Sequence, residues 1–203
     1  MMQSILRAFL PQPKVRSLAA LQQFLDSEAA HLAQRTAINF IRNELGNRSP
    51  HALDDPRYQA KIAVSRWEGF AQVLADMIVL TKACLEAPGT PRAILDRRLG
   101  DLYAAILGAH PVPEHRAQGW EAEISALRAR LAAHEHAPVD PQGYGEKTGS
   151  LVFDTLPFRP RDPVENRMVL CNAFAFGLIA FNERLRRLLT ASAVRDELVA
   201  SGP

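Results

Sequence analysis

The chain has 203 residues, 47% hydrophobic and 23% charged, with a formal net charge of +2. At that length roughly 70% of the unfolded surface is buried on folding, enough for one sizeable core without disulfides or metals, and the composition excludes a disordered or collagen-like chain. The small, interspersed charge gives no concentrated field, which excludes a nucleic-acid partner held through its phosphates.

Residues 1–16 form a basic amphipathic segment carrying Arg7, Lys14 and Arg16 and no acid. Ile5, Leu6, Phe9 and Leu10 can share one helical face, suited to packing on the bundle, docking on a partner or lying on an anionic membrane. The apolar run at 5–10 is too short and interrupted for a signal peptide.

A first helix is predicted at 17–45 from Leu18, Leu21, Leu25 and Leu32, broadening at Ile38, Phe40, Ile41 and Leu45. Asp55-Pro56 opens a second at 55–87, because the aspartate oxygen can accept an orphan amide and proline needs no amide bond at the first helical position. Its Ala63, Trp67, Phe70, Leu74, Met77, Thr81 and Cys84 alternate in steps of four and three, the seam spacing of helices packed nearly parallel or antiparallel. Thr90-Pro91 opens a third at 91–108, marked by Leu95, Leu99, Leu102 and Ile106. A fourth at 113–136 has a weaker stripe and a charged back of Glu121, Glu123, Arg128, Arg130 and Glu135. Asp162-Pro163, with Glu165 three residues on, opens the last long helix at 164–190, and a short one follows near 192–200.

Leu151, Val152 and Phe153 are the only β-like run, so the expected fold is all-α. It is a single-domain helical bundle of five or six helices over 17–203, with a long Pro/Gly-rich loop at 138–163 before the last long helix. The helices most apolar around their circumference, 55–87 and 164–190, should be surrounded and form the central pair. The longest apolar run, 168–181, is shorter than the ~20 residues a bilayer requires, so no transmembrane segment is predicted. The first two helices should make an antiparallel hairpin across 47–54 whose overhanging end could join two copies in a homodimer.

Glu28-x-x-His31 has the spacing of half a helical metal site, but no second Glu-x-x-His occurs, and Arg35 and Arg42 follow on the same edge. A solvated or salt-bridged helix flank is expected, with no metal and no cofactor. His134 and His136 point roughly 200° apart on a helix and cannot chelate together. Cys84 and Cys171 are each alone in apolar helical patterns, where a thiol behaves as a small hydrophobe. A reducing, cytoplasmic setting follows. Glu68, Gln72 and Asp76 recur every four residues as a polar seam, and no catalytic residues are assigned, since no G-x-S-x-G, phosphate loop or H-E-x-x-H occurs.

In size and class alone the chain resembles redox-enzyme maturation chaperones, and no residue is carried over from them. The expected function is a non-enzymatic, cytoplasmic interaction protein in an adaptor, assembly or chaperone-like role. Its unidentified protein partner would meet the 138–163 loop or the N-terminal segment, through Phe9, Leu10, Tyr144, Lys147, Phe153, Phe158, Arg159 and Arg161. The alternative is a bundle holding an apolar small ligand or metal between its central helices, lined by Trp67, Phe70, Met77, Phe174, Leu178 and Phe181.

Overall fold

A computed structural model describes residues 14–46, 55–133 and 141–200. The fold is all-α, and the described residues hold seven helices. These are α1 (Leu18–Gly46), α2 (Pro56–Leu85), α3 (Arg92–Gly108), α4 (Glu121–Ala133), α5 (Pro141–Asp154), α6 (Pro163–Leu188) and α7 (Ala191–Ala200).

Cap chemistry sets two of the three expected starts. Asp55 accepts from the Arg57 amide at 2.8 Å and Asp162 from the Glu165 amide at 2.9 Å. The third differs: Pro91 itself occupies the cap of α3 without a side-chain bond, after a turn in which Gly89 takes φ +83°. Asp162→Ala should therefore cost about 1 kcal/mol, read as a lower urea midpoint at unchanged slope.

α2 is the axis. Residues 73–82 are buried without a break, and α2 touches each of the other six helices. Pairing of Ala33 with Gly69, Gln34 with Arg66 and Ile41 with Ile62 runs in opposite senses, so α1 and α2 are antiparallel. Buried side chains from all seven helices join in one apolar cluster, including Leu25, Leu74, Leu99, Leu131, Val152, Phe174 and Leu198. The start of α1 is fixed by the far end of the chain: Val15 pairs with Leu188 and Thr190 through the backbone, and Glu197 accepts from the Leu18 amide at 2.7 Å.

The expectation of a structureless 138–163 loop is overturned. Residues 141–154 are α5, which raises the helix count above five or six and shortens the connector to 155–162. The reason lies in two of the glycines that resembled a loop signal. Gly145 and Gly149, four apart, share one face of α5 and lie against Ala175 and Cys171 of α6, themselves four apart. A Cβ added at Gly145 would fall 2.3 Å from the Ala175 Cα, and one at Gly149 would fall 2.4 Å from the Cys171 Cα. The two backbones approach as closely as they do only because no side chain intervenes. α5 and α6 are thus an antiparallel hairpin, extended by Arg167 of α6 reaching Asp154 of α5 at 2.5 Å.

Two other elements also differ from expectation. α4 begins at Glu121 and not near 113, because Gly119 (φ +68°) and the turns before it interrupt the stripe. α6 is not surrounded: only the stretch 73–82 of α2 is buried all round, whereas Val164, Met168, Val169 and Phe176 of α6 are exposed.

Candidate interaction face and polar cleft

The seam residues proposed as an alternative pocket lie in contact with other parts of the core. Phe70, Met77, Phe174, Leu178 and Phe181 are buried and Trp67 is partly buried against them. Phe181 stacks on Phe24 at 5.8 Å. Trp67, Phe70 and His110 meet edge to face, with centroids 5.2 to 5.9 Å apart. His110 continues the chain of contacts to Asp26 at 2.8 Å.

Of the proposed partner-binding residues, Phe9 and Leu10 lie outside the described residues, as do His134 and His136. Tyr144, Phe153 and Phe158 are only partly exposed. Tyr144 carries the Arg130 guanidinium over its ring at 4.2 Å, and Phe153 carries that of Arg167 at 4.5 Å. Phe158 packs beside Ile41 and Ile62. Lys147, Arg159 and Arg161 are exposed. Tyr144, Lys147 and Phe153 all lie on α5, with Tyr144 against Arg130 of α4 and Phe153 against Arg167 of α6, while Phe158, Arg159 and Arg161 lie in the connector.

Glu28 gives both oxygens to Arg184 Nη1, at 2.6 and 2.8 Å. The carboxylate is therefore half of an α1–α6 ion pair. Among the described residues no group of three or more His, Cys, Asp or Glu stands together as a metal site.

Glu68 and Gln72 of the polar seam line a cleft of about 490 Å³ between α2, α4 and α5, and Asp76, the next residue of the seam, is buried. At one end Arg116 bridges Glu68 and Glu123, and His115 adds a bond to Glu68 at 2.8 Å. Burial raises the Glu68 carboxyl, but the bonds and charges of Arg116 and His115 outweigh it and hold the group below its ordinary range. At the other end Asp76, fully buried, takes Arg130 Nη1 at 2.7 Å together with the Thr148 hydroxyl and the Gln72 amide. Burial is the larger influence there and leaves the Asp76 carboxyl raised. Tyr103, buried in the same wall, donates to the Ala71 carbonyl at 3.1 Å, and burial raises its phenol. Two guanidiniums serve the three carboxylates, Arg116 shared by Glu68 and Glu123 and Arg130 on Asp76, so the cleft acts as a polar lock holding α4 and α5 to α2.

The surface of α6 is different in kind. Along its outward face run Glu165, Met168, Val169, Asn172, Ala173, Phe176, Ala180, Glu183 and Arg187, all exposed. Phe176 is 71% exposed and Met168 57%. A groove of about 450 Å³ separates this ridge from α1, with Arg35 and Asn39 on its far rim, and one of about 370 Å³ separates it from α5. Single exposed apolar residues are ordinary; here Met168, Val169 and Phe176 share one helix face, interrupted by Asn172 and bounded by Glu165 and Arg187. Periodicity could not reveal it, because the buried and exposed faces of α6 are both apolar. By length and by the composition of an 18-residue window, α6 is also apolar enough to cross a bilayer, a test that core helices of soluble proteins pass as well.

Comparison of the chain with known protein families, curated proteins and solved structures gave no match.

Proposed function

We propose that the chain is a non-enzymatic, cytoplasmic single-domain helical bundle that works by binding protein, in an adaptor, assembly or chaperone-like role. The docking surface is the outward face of α6 with its two flanking grooves. The observation that carries this is Phe176, a large aromatic standing 71% exposed in the middle of a helix whose opposite face is fully packed. Leaving that ring in water forgoes about 1.5 to 3 kcal/mol that a covering partner would recover. The polar rim of Arg35, Asn39 and Glu165 around an apolar centre matches the anatomy of protein interfaces.

A photo-crosslinking side chain placed at Phe176 in living cells tests the proposal against the same group at Ala19, which is exposed on α1. Defined protein adducts at 176 and none at 19 are expected. Equal labelling at both positions, or labelling of lipid alone at 176, sinks the docking surface.

A further inference from the structure

We propose that the partner on the α6 face is a second copy of this chain, with the two α6 helices antiparallel about a two-fold axis at Phe176. This rests on α6 being a protein-docking surface and adds which protein docks there.

Three observations lead to it. First, nine exposed residues of α6, from Glu165 to Arg187, lie on one stripe along a helix of 26 residues, roughly 39 Å long. The ridge and its two groove walls supply about the 20 to 30 residues a side that a standard interface uses. Second, the two residues that end the stripe carry opposite charges. Glu165 stands at its beginning and Arg187 at its end, both exposed, with Phe176 midway between them. Such an arrangement is self-complementary in only one sense. In a parallel pair Glu165 would meet Glu165 and Arg187 would meet Arg187, two like-charge contacts that weaken association. In an antiparallel pair each Glu165 meets the other copy's Arg187, and the positive end of each helix dipole lies beside the negative end of its neighbour.

Third, charge also chooses the register. Centring the axis on Phe176 puts Glu165 opposite Arg187, Asn172 opposite Ala180, and Val169 beside the aliphatic part of Glu183. Moving the axis one turn back, between Asn172 and Ala173, would set Val169 against Phe176 but also Glu183 against Asp162. Gain in apolar contact would then be opposed by two like-charge contacts. With the axis at 176, each Phe176 ring enters the α1–α6 groove of the other copy beside the small residues Ala173 and Ala180. Closed two-fold pairs are the commonest soluble oligomers, and they need a surface that complements itself in this way.

Sedimentation equilibrium of the purified full chain tests the pairing. The parent is expected to be a dimer, and Phe176→Glu, which enters the axis twice, should weaken association on the order of a hundredfold. Because Phe176 is exposed, its thermal unfolding should resemble that of a parent sample diluted to monomer. Glu165→Arg and Arg187→Glu should each weaken the dimer about tenfold, and the double variant Glu165→Arg/Arg187→Glu should recover most of the loss. Recovery is the decisive readout, since loss of helix-end stabilisation alone would add in the double variant.

A parent that stays monomeric overturns the self-pairing, as does a dimer indifferent to Phe176→Glu and both charge reversals. A monomer that crosslinks at 176 to a different protein leaves the docking surface standing and removes only the second copy. A monomer that floats with anionic vesicles through Phe176, without protein adducts, removes both.

Discussion

Gly145→Ala and Gly149→Ala made together are expected to lower the unfolding free energy by about 4 kcal/mol, because each new methyl collides with backbone and not with a movable side chain. The added Cβ atoms would sit 2.3 Å from Ala175 and 2.4 Å from Cys171, where no rotamer change gives relief. Only separating α5 from α6 by roughly an ångström removes the clash, and that opens a seam containing Val152, Leu170 and Phe174. Alanine favours the helix by about 1 kcal/mol per site, so the sign depends on packing outweighing propensity. Gly143, exposed on the same helix, is the control: its alanine variant should be neutral or stabilising. Urea unfolding of the double variant and the Gly143→Ala control decides the matter, and a stabilised double variant would show that the helices do not approach this closely.

The second large effect is expected at Arg130. Arg130→Met keeps much of the side-chain stem but strips Asp76 of its counter-charge, and Asp76 is fully buried. A buried carboxylate left unpaired costs about 3 kcal/mol. The cost should depend on pH in a direction set by the raised Asp76 carboxyl. An acid whose folded pKa lies above its unfolded value of 3.8 binds its proton more tightly when folded. Its contribution to stability is therefore present at acid pH and is lost as pH rises through the folded value. Removing Arg130 takes away an influence that lowers the carboxyl, moving it further up. The deficit of Arg130→Met relative to the parent should thus be smaller at pH 5 than at pH 8. Asp76→Asn in the same background should restore stability at pH 8, because an amide carries no charge to bury. A double variant no more stable than Arg130→Met at pH 8 would mean that Asp76 is not the group Arg130 serves.

Helix boundaries governed by local chemistry were legible in the sequence. Asp55 and Asp162 cap α2 and α6 through bonds spanning two and three residues, and such short-range logic needs no knowledge of the fold. α5 was not legible, because glycine at 145 and 149 weakens a helix considered alone and is explained only by a neighbour more than 20 residues away. The Glu68, Gln72, Asp76 seam was visible as a polar strip. Its partners Arg116, Arg130 and Thr148 were not, since they arrive from 48 to 72 residues along the chain. The apolar pattern placed Phe174 and Phe176 in the same helix, yet one is fully buried and the other mostly exposed. Hydrophobicity reports what a side chain prefers, and only the packing of α1 and α5 determines which face of α6 is left uncovered.

The backbone bonds of Val15 to Leu188 and Thr190 have a consequence during synthesis. A ribosome releases Val15 long before it has made either partner, so the start of α1 stays unlatched until Leu188 and Thr190 have left the exit tunnel, and this contact is among the late steps of folding during synthesis.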